Sequence, residues 1–410
     1  MIAAGGRISD PAGSGVVLTF AASFFVTGCL LLAFTGPTLG ALHAFAAFIV
    51  LAITAALNQL LPVLITAPVA RPGAVIAAGG SFSGGFALLI AGFYGYPTFA
   101  AAGIILGVTA TAWVAWNLLR LLAGFKERQT RLMMAFSLLG FLAAAIIGAF
   151  MAWALGGLGR AEALGLAPVH AALALAAFAT VLVIAISYRF VPMFAVAKAN
   201  AYGRRIPQWL AALAVVATIA ASAAHRSDAL RAALALLLIS AMWIVVSHIL
   251  TLRARLRKRI DVSIRYAIAG WGFGLVACGL AVGATYDARF GSAAIIAALL
   301  GWLCTTTLGY IYKVAGFLAW QAARERYPAS TTALPPLSGA VDMRLAMPAL
   351  VLIAIGVCAA VLGVIFAPQF TTPALDVYSA GGLLAVLASA RMAARYVFGR
   401  FTTTGGAHAA

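Results

Sequence analysis

The chain has 410 residues, of which 64% are hydrophobic and only 9% charged. Soluble domains average about 45–50% apolar and about 25% charged, so no water-soluble fold of this length can hide such a surface. That excludes, for the whole chain, a soluble enzyme, a nucleic-acid binder and a disulfide-stapled secreted module. The net charge of +18 does not restore nucleic acid as a partner, because the cations fall in short clusters between apolar runs. Such clusters are the signature of loops flanking membrane spans, and the expected partner is the lipid bilayer.

A membrane-crossing helix needs about 20 mostly apolar residues. On that rule the chain is an all-α polytopic membrane protein with twelve spans. They are expected at about 15–35, 39–66, 74–95, 98–122, 132–157, 167–197, 207–224, 229–252, 264–285, 291–320, 345–367 and 375–398. Breakers or charges separate them, for example Gly36-Pro37, Gly95-Tyr96-Pro97 and Lys126 to Arg131. The amino-terminal stretch shows no cleavage-site pattern, so the first span is expected to be retained. Residues 1–410 read as one transmembrane domain. Cys29, Cys278, Cys304 and Cys358 all lie inside apolar runs with no close pairs, and read as small buried hydrophobes.

Counting cations sets the expected orientation. With the amino terminus inside, 21 Lys and Arg residues fall on the inner side, from Arg7 through the Arg253 to Arg259 cluster to Arg400. Arg160, Arg226, Arg231 and Arg289 fall outside, and Arg189 and Lys313 lie within spans. Excess Lys and Arg mark cytoplasmic loops, so the chain is expected to be a multi-pass protein of a bacterial-type inner membrane with both termini cytoplasmic.

Three even-numbered spans end alike. Span two ends Gln59-Leu60-Leu61-Pro62, span six Arg189-Phe190-Val191-Pro192 and span ten Lys313-Val314-Ala315-Gly316. In each, a long polar residue sits three positions before a helix-weakening Pro or Gly. The intervals are 130 and 124 residues, each holding four spans. Four is an even number, so the copies cross the membrane in the same direction and form parallel repeats of about 15–122, 132–252 and 264–398. The polar members, Gln59, Arg189 and Lys313, are expected to form a collar at the inner mouths of the central helices. Such a collar suits an anion, whereas snorkelling to the headgroups is the alternative for the two cations.

Twelve spans in three four-helix arcs, with the stretch Tyr312-Lys313-Val314-Ala315-Gly316-Phe317-Leu318-Ala319-Trp320, resemble the catalytic subunit I of the heme–copper oxidases, and in particular its small divergent relatives. The resemblance implies a ring of helices enclosing three pores, two of which hold hemes in true oxidases. His43, near the outer start of span two, matches in place the family's low-spin heme ligand. His170, near the outer start of span six, lies on the helix that carries the first copper ligand. Imidazole suits both iron and copper.

The departures from the family are equally plain. Span seven has none of the adjacent histidines needed for copper, and span ten has none of the two needed for hemes. No binuclear copper site is therefore expected. What stays open is one b-type heme on His43, completed by His170, by a non-histidine ligand or by nothing, with His43 and His170 as the candidate cofactor and metal residues; the alternative is that both histidines sit at the outer interface and bond water or backbone. His248, close to the Arg253 cluster, reads as an interfacial residue. All nine acidic residues fall in loops or at span ends, which weakens a proton pump or an ion-coupled carrier.

The expected function is thus a heme–copper-oxidase-like membrane protein serving redox relay, sensing or heme and copper handling, not oxygen reduction, with respiratory or redox proteins as partners. No catalytic residue is assigned. The alternatives are a small-molecule transporter or channel using a pore between helices, and a structural subunit of a respiratory complex.

Overall fold

The computed structural model describes residues 11–65, 72–198, 205–256, 259–327, 334 and 340–399. Arg7, Arg71, Arg204, Arg257, Lys258 and Arg400, which enter the cation count, lie outside the described residues, as does His408. Among the described residues, 12 helices are long and apolar enough to cross a membrane, and the architecture is that of an all-helical multi-pass protein. They are α1 (Pro11–Thr35), α2 (Leu39–Ile65), α3 (Pro72–Phe93), α4 (Pro97–Leu122), α5 (Arg128–Leu155), α6 (Ala161–Ala195), α7 (Arg205–Ala223), α8 (Ser227–Arg253), α9 (Val262–Gly283), α10 (Ala288–Arg326), α11 (Met343–Phe366) and α12 (Thr371–Val397).

The breaks follow local chemistry. Gly36 and Gly95 adopt left-handed φ values of 72° and 104°, which glycine reaches without a Cβ penalty. Pro97 opens α4, where its missing N–H costs no hydrogen bond. Asp261, Asp287 and Asp342 cap α9, α10 and α11 by accepting the backbone N–H two residues on, at 3.1, 2.9 and 3.1 Å.

Helix packing closes a ring, since α12 packs against α1 as well as α11. The most apolar stretches of α2, α6 and α10 are 72%, 56% and 78% buried, against 28–50% for the other nine spans. These three helices carry the repeated endings and hold the centre, with α10 touching both α2 and α6. The peripheral helices turn large apolar side chains such as Trp116, Leu213 and Phe366 outward, as lipid contact requires. Where two helices meet at a glycine the backbones come very close. A Cβ added at Gly85 on α3 would stand 2.9 Å from the Gly103 carbonyl oxygen on α4, in the small-residue style of membrane helix pairs.

Two of the central helices change their winding midway. Ala172–Thr180 of α6 and Ala297–Cys304 of α10 are π-helical. Their starts are offset by nearly the interval that separates Arg189 from Lys313, so the wide turns stand at similar distances before those two residues. The turns are joined at the bundle centre, where the Trp302 Nε1–H donates to Thr180 Oγ1 at 3.2 Å. Ser137 of α5 donates to the Phe178 carbonyl at 2.7 Å, occupying an acceptor inside the α6 turn. Wide turns of this kind favour functional positions because they re-aim side chains.

The polar residues of the repeated endings do not bond one another; each has its own partner. Gln59 donates to Gln321 Oε1 at 2.9 Å, Arg189 pairs with Glu127, and Lys313 donates to Asp261 Oδ2 at 2.6 Å. Glu127 and Asp261 sit immediately before α5 and α9, so each cation ties its central helix to the start of the helix preceding it. Neither cation simply snorkels. Burial works to raise the Asp261 carboxyl, but the Lys313 ammonium and the Ser263 hydrogen bonds outweigh it and hold its pKa below the usual carboxylate value.

The Lys313–Asp261 pair is about four-fifths buried on both sides. Removing one partner strands the other, so Lys313→Met should cost about 1–3 kcal/mol of stability, read as a lower Tm in detergent. Adding Asp261→Asn should return part of that loss. Because the folded pKa of Asp261 is depressed, its contribution is complete above the unfolded value of about 3.9 and disappears as pH falls below it. A Tm that is flat down to pH 3 in the parent protein would contradict the pair's role.

Candidate functional site

His43 and His170 stand on different central helices, separated by 127 positions in sequence, yet they face each other. Their ring centroids are 6.5 Å apart and the ring planes lie within 15° of parallel. Each ring is anchored the same way. His43 Nδ1 lies 2.8 Å from the Leu39 carbonyl, one turn back on α2, and His170 Nδ1 lies 3.0 Å from the Ala144 carbonyl on α5. A carbonyl only accepts, so both Nδ1 atoms carry the proton and both Nε2 atoms keep a free lone pair. Among the described residues, neither Nε2 forms a hydrogen bond.

The two rings open onto a cavity of about 380 Å³ enclosed by α2, α3, α4, α5 and α6, with α10 behind. Its size falls within the range of ordinary small-molecule pockets. Small residues line it, including Gly85, Gly103, Gly107 and Gly148. Gly148 is required next to the histidine, since a Cβ there would come within 2.9 Å of His170 Cε1. Phe93 flanks His43 at 4.8 Å between centroids. The floor is aromatic, with Phe141 stacked on Phe178 at 4.3 Å and Phe82 at 5.9 Å from Phe141. No charged side chain lines the cavity among the described residues.

A free imidazole nitrogen is a donor that suits iron and copper. A carbonyl on Nδ1–H is the usual outer partner of a ligating histidine, fixing its tautomer and raising its basicity. No cluster of three or more His, Cys, Asp or Glu residues that could hold a bare ion occurs among the described residues. Neither a protein-family model nor a curated protein matches this chain.

Other positions differ from the sequence reading. His248 is not interfacial but 2% exposed, because the α8 turn that carries it faces the ring interior. It lies between Tyr188 and Trp271, with centroid distances of 4.6 and 4.9 Å. The space between α10, α11, α12, α1 and α2 is filled by side chains, among them Phe25, Phe45 and Tyr378, with Phe25–Phe45 at 5.3 Å and Phe45–Tyr378 at 5.8 Å. Gly148 and the phenylalanine floor carried no signal in the sequence beyond their presence in apolar runs.

Proposed function

We propose that the protein is a membrane-embedded heme protein whose single b-type heme is held axially by His43 and His170, and that it serves electron relay or redox sensing, not oxygen reduction. The observation that carries this reading is the convergence of the two histidines on one apolar cavity, each with Nδ1 anchored to a carbonyl and Nε2 free. When bound, the heme supplies one-electron chemistry. A heme held by both His43 and His170 would supply electron transfer in preference to oxygen activation. The chain's own residues orient the ligands and exclude water: Leu39 and Ala144 fix the tautomers, Gly148 clears the ring, and the phenylalanines close the inner end. That closed floor also weighs against a through-pore for a small molecule.

The resemblance to subunit I of the heme–copper oxidases supports the same class, as does the ring of twelve membrane-long helices. The reading places the basic loops in the cytoplasm, both termini inside, and a redox protein at the membrane surface as partner. The content of the pigment is the direct test. Protein purified from heme-replete cells should release about one heme per chain on pyridine extraction; a colourless preparation with no extractable heme would overturn the reading. For orientation, in a cysteine-free background, a thiol probe added from outside should label a cysteine at position 162 and not one at 259. The reverse pattern would invert the topology.

A further inference from the structure

α5 and α7 barely touch each other, yet both pack on α6, so they form the walls of a groove with α6 as its floor. Neither α4 packs on α7 nor α8 on α5, which leaves the groove open to lipid. The walls meet at the end of the bundle that holds the Lys313–Asp261 pair. There Gln129 Nε2 of α5 donates to the carbonyl of Arg205, the first residue of α7, at 3.1 Å. That bond brings the starts of both helices together, and with them four cations: Lys126, Arg128 and Arg131 at the start of α5, and Arg205. Beyond them both walls turn large apolar side chains outward, Leu132 and Leu139 on α5 and Trp209 and Leu213 on α7.

The four cations lack a counter-charge. Among the described residues, none of their side chains forms an ion pair. Glu127, the carboxylate between Lys126 and Arg128 in sequence, is already engaged by Arg189 and by the Thr130 hydroxyl at 2.9 Å. The placement also runs against the electrostatics of the helices themselves. Arg128 and Arg131 stand in the first turn of α5 and Arg205 opens α7, where the macrodipole and the free backbone N–H groups disfavour a cation and favour an anion. No acidic residue occupies either first turn. A topological signal needs cations in a loop, but it does not need them gathered from two helices at the head of one groove.

We propose that this groove binds an anionic phospholipid. Its phosphate lies among Arg128, Arg131 and Arg205, whose guanidinium forks match phosphate oxygens, and its acyl chains run along the apolar rows of α5 and α7. Clusters of Lys and Arg at the ends of membrane helices attract anionic lipid heads by the same chemistry. Trp209, one turn inside Arg205, stands at the headgroup level that indole rings favour. The site offers cations at the rim with outward apolar side chains directly beyond, a combination that a soluble anion does not use and that a lipid fills with one molecule. The proposal does not rest on the heme reading, since the histidine-pair cavity uses none of these residues.

The test is native mass spectrometry of the full chain in detergent, titrated with dioleoyl phosphatidylglycerol or dioleoyl phosphatidylcholine. The first phosphatidylglycerol should bind at least tenfold more tightly than the first phosphatidylcholine. Arg128→Gln with Arg205→Gln should weaken the phosphatidylglycerol at least tenfold. The control pair, Arg265→Gln with Arg344→Gln, removes two exposed cations from α9 and α11 at the same end of the bundle and should leave the affinity within about twofold. All four side chains are exposed, so the lipid-free Tm of both double variants should match the parent, which separates lost binding from lost fold. Neither sn-glycerol 3-phosphate nor a hexaglutamate peptide at the lipid's concentration should displace it. Equal affinity for the two lipids, no loss in the first double variant, an equal loss in the control pair, or displacement by either soluble anion would overturn the proposal.

Discussion

Replacing His43 with alanine should abolish stable heme binding, lowering heme per chain at least tenfold, whereas His170→Ala should retain part of the heme but change its coordination. The asymmetry has a structural cause. His43 is anchored within its own helix, one turn from the Leu39 carbonyl, so it stays poised whatever α5 does. His170 reaches across to Ala144 on α5 and depends on Gly148 for room. Loss of one axial bond leaves an open position, so ferrous His170→Ala should bind carbon monoxide where the parent does not. The measurement is the carbon monoxide difference spectrum of each variant beside pyridine-extractable heme. Equal heme in all three proteins would show that neither histidine is a ligand. Gly148→Leu should mimic His170→Ala, since its side chain occupies the space of the imidazole.

The second large effect is expected at a glycine that touches neither histidine. Gly85→Leu should lower the Tm of the protein strongly, by about 1–3 kcal/mol in stability or more, because the obstruction is backbone and cannot rotate away. A Cβ at Gly85 would meet the Gly103 oxygen and the Gly107 nitrogen, both at 2.9 Å, so α3 and α4 would have to separate. The same pair forms one wall of the histidine-pair cavity, so heme affinity should fall with stability. Gly80→Ala, five residues earlier on the same helix, meets nothing within 4 Å and serves as the control. There alanine should be neutral or slightly stabilising, through helix propensity. Equal Tm loss at both positions would show that the α3–α4 contact is not the cause.

These outcomes also show which features can be read from a sequence like this one. The twelve spans were legible because hydrocarbon solvation is a local property, summed over about 20 residues at a time. The shared endings singled out α2, α6 and α10, and these are the three most buried spans. The partners of the polar residues in those endings were not legible. Glu127 lies 62 positions from Arg189 and Asp261 lies 52 from Lys313, and each reads locally as nothing more than a helix start. The His248 reading failed for a related reason. Its distance from Arg253 fixes its depth, but only packing against Tyr188 and Trp271 fixes which way its turn faces.

The candidate site was half legible. His43 and His170 stand out because histidine is rare and costly in apolar spans. That they meet across one cavity depends on how α2 and α6 are rotated, and the π-helical turn that follows His170 alters that rotation without any marker in composition. The glycines around the cavity are likewise indistinguishable in sequence from the many other glycines of the chain, and the structure separates Gly85 and Gly148, which face close neighbours, from Gly80 and Gly107, which face none.

The central claim is that His43 and His170 share one heme iron, and low-temperature electron paramagnetic resonance of the ferric protein tests it most directly. Two imidazoles on one iron impose a strong axial field and a low-spin state. The parent protein should therefore give a low-spin ferric signal that His170→Ala converts to high spin. A parent signal that is already high-spin, a low-spin signal that survives His170→Ala, or no iron signal in heme-replete protein would contradict the shared-iron site.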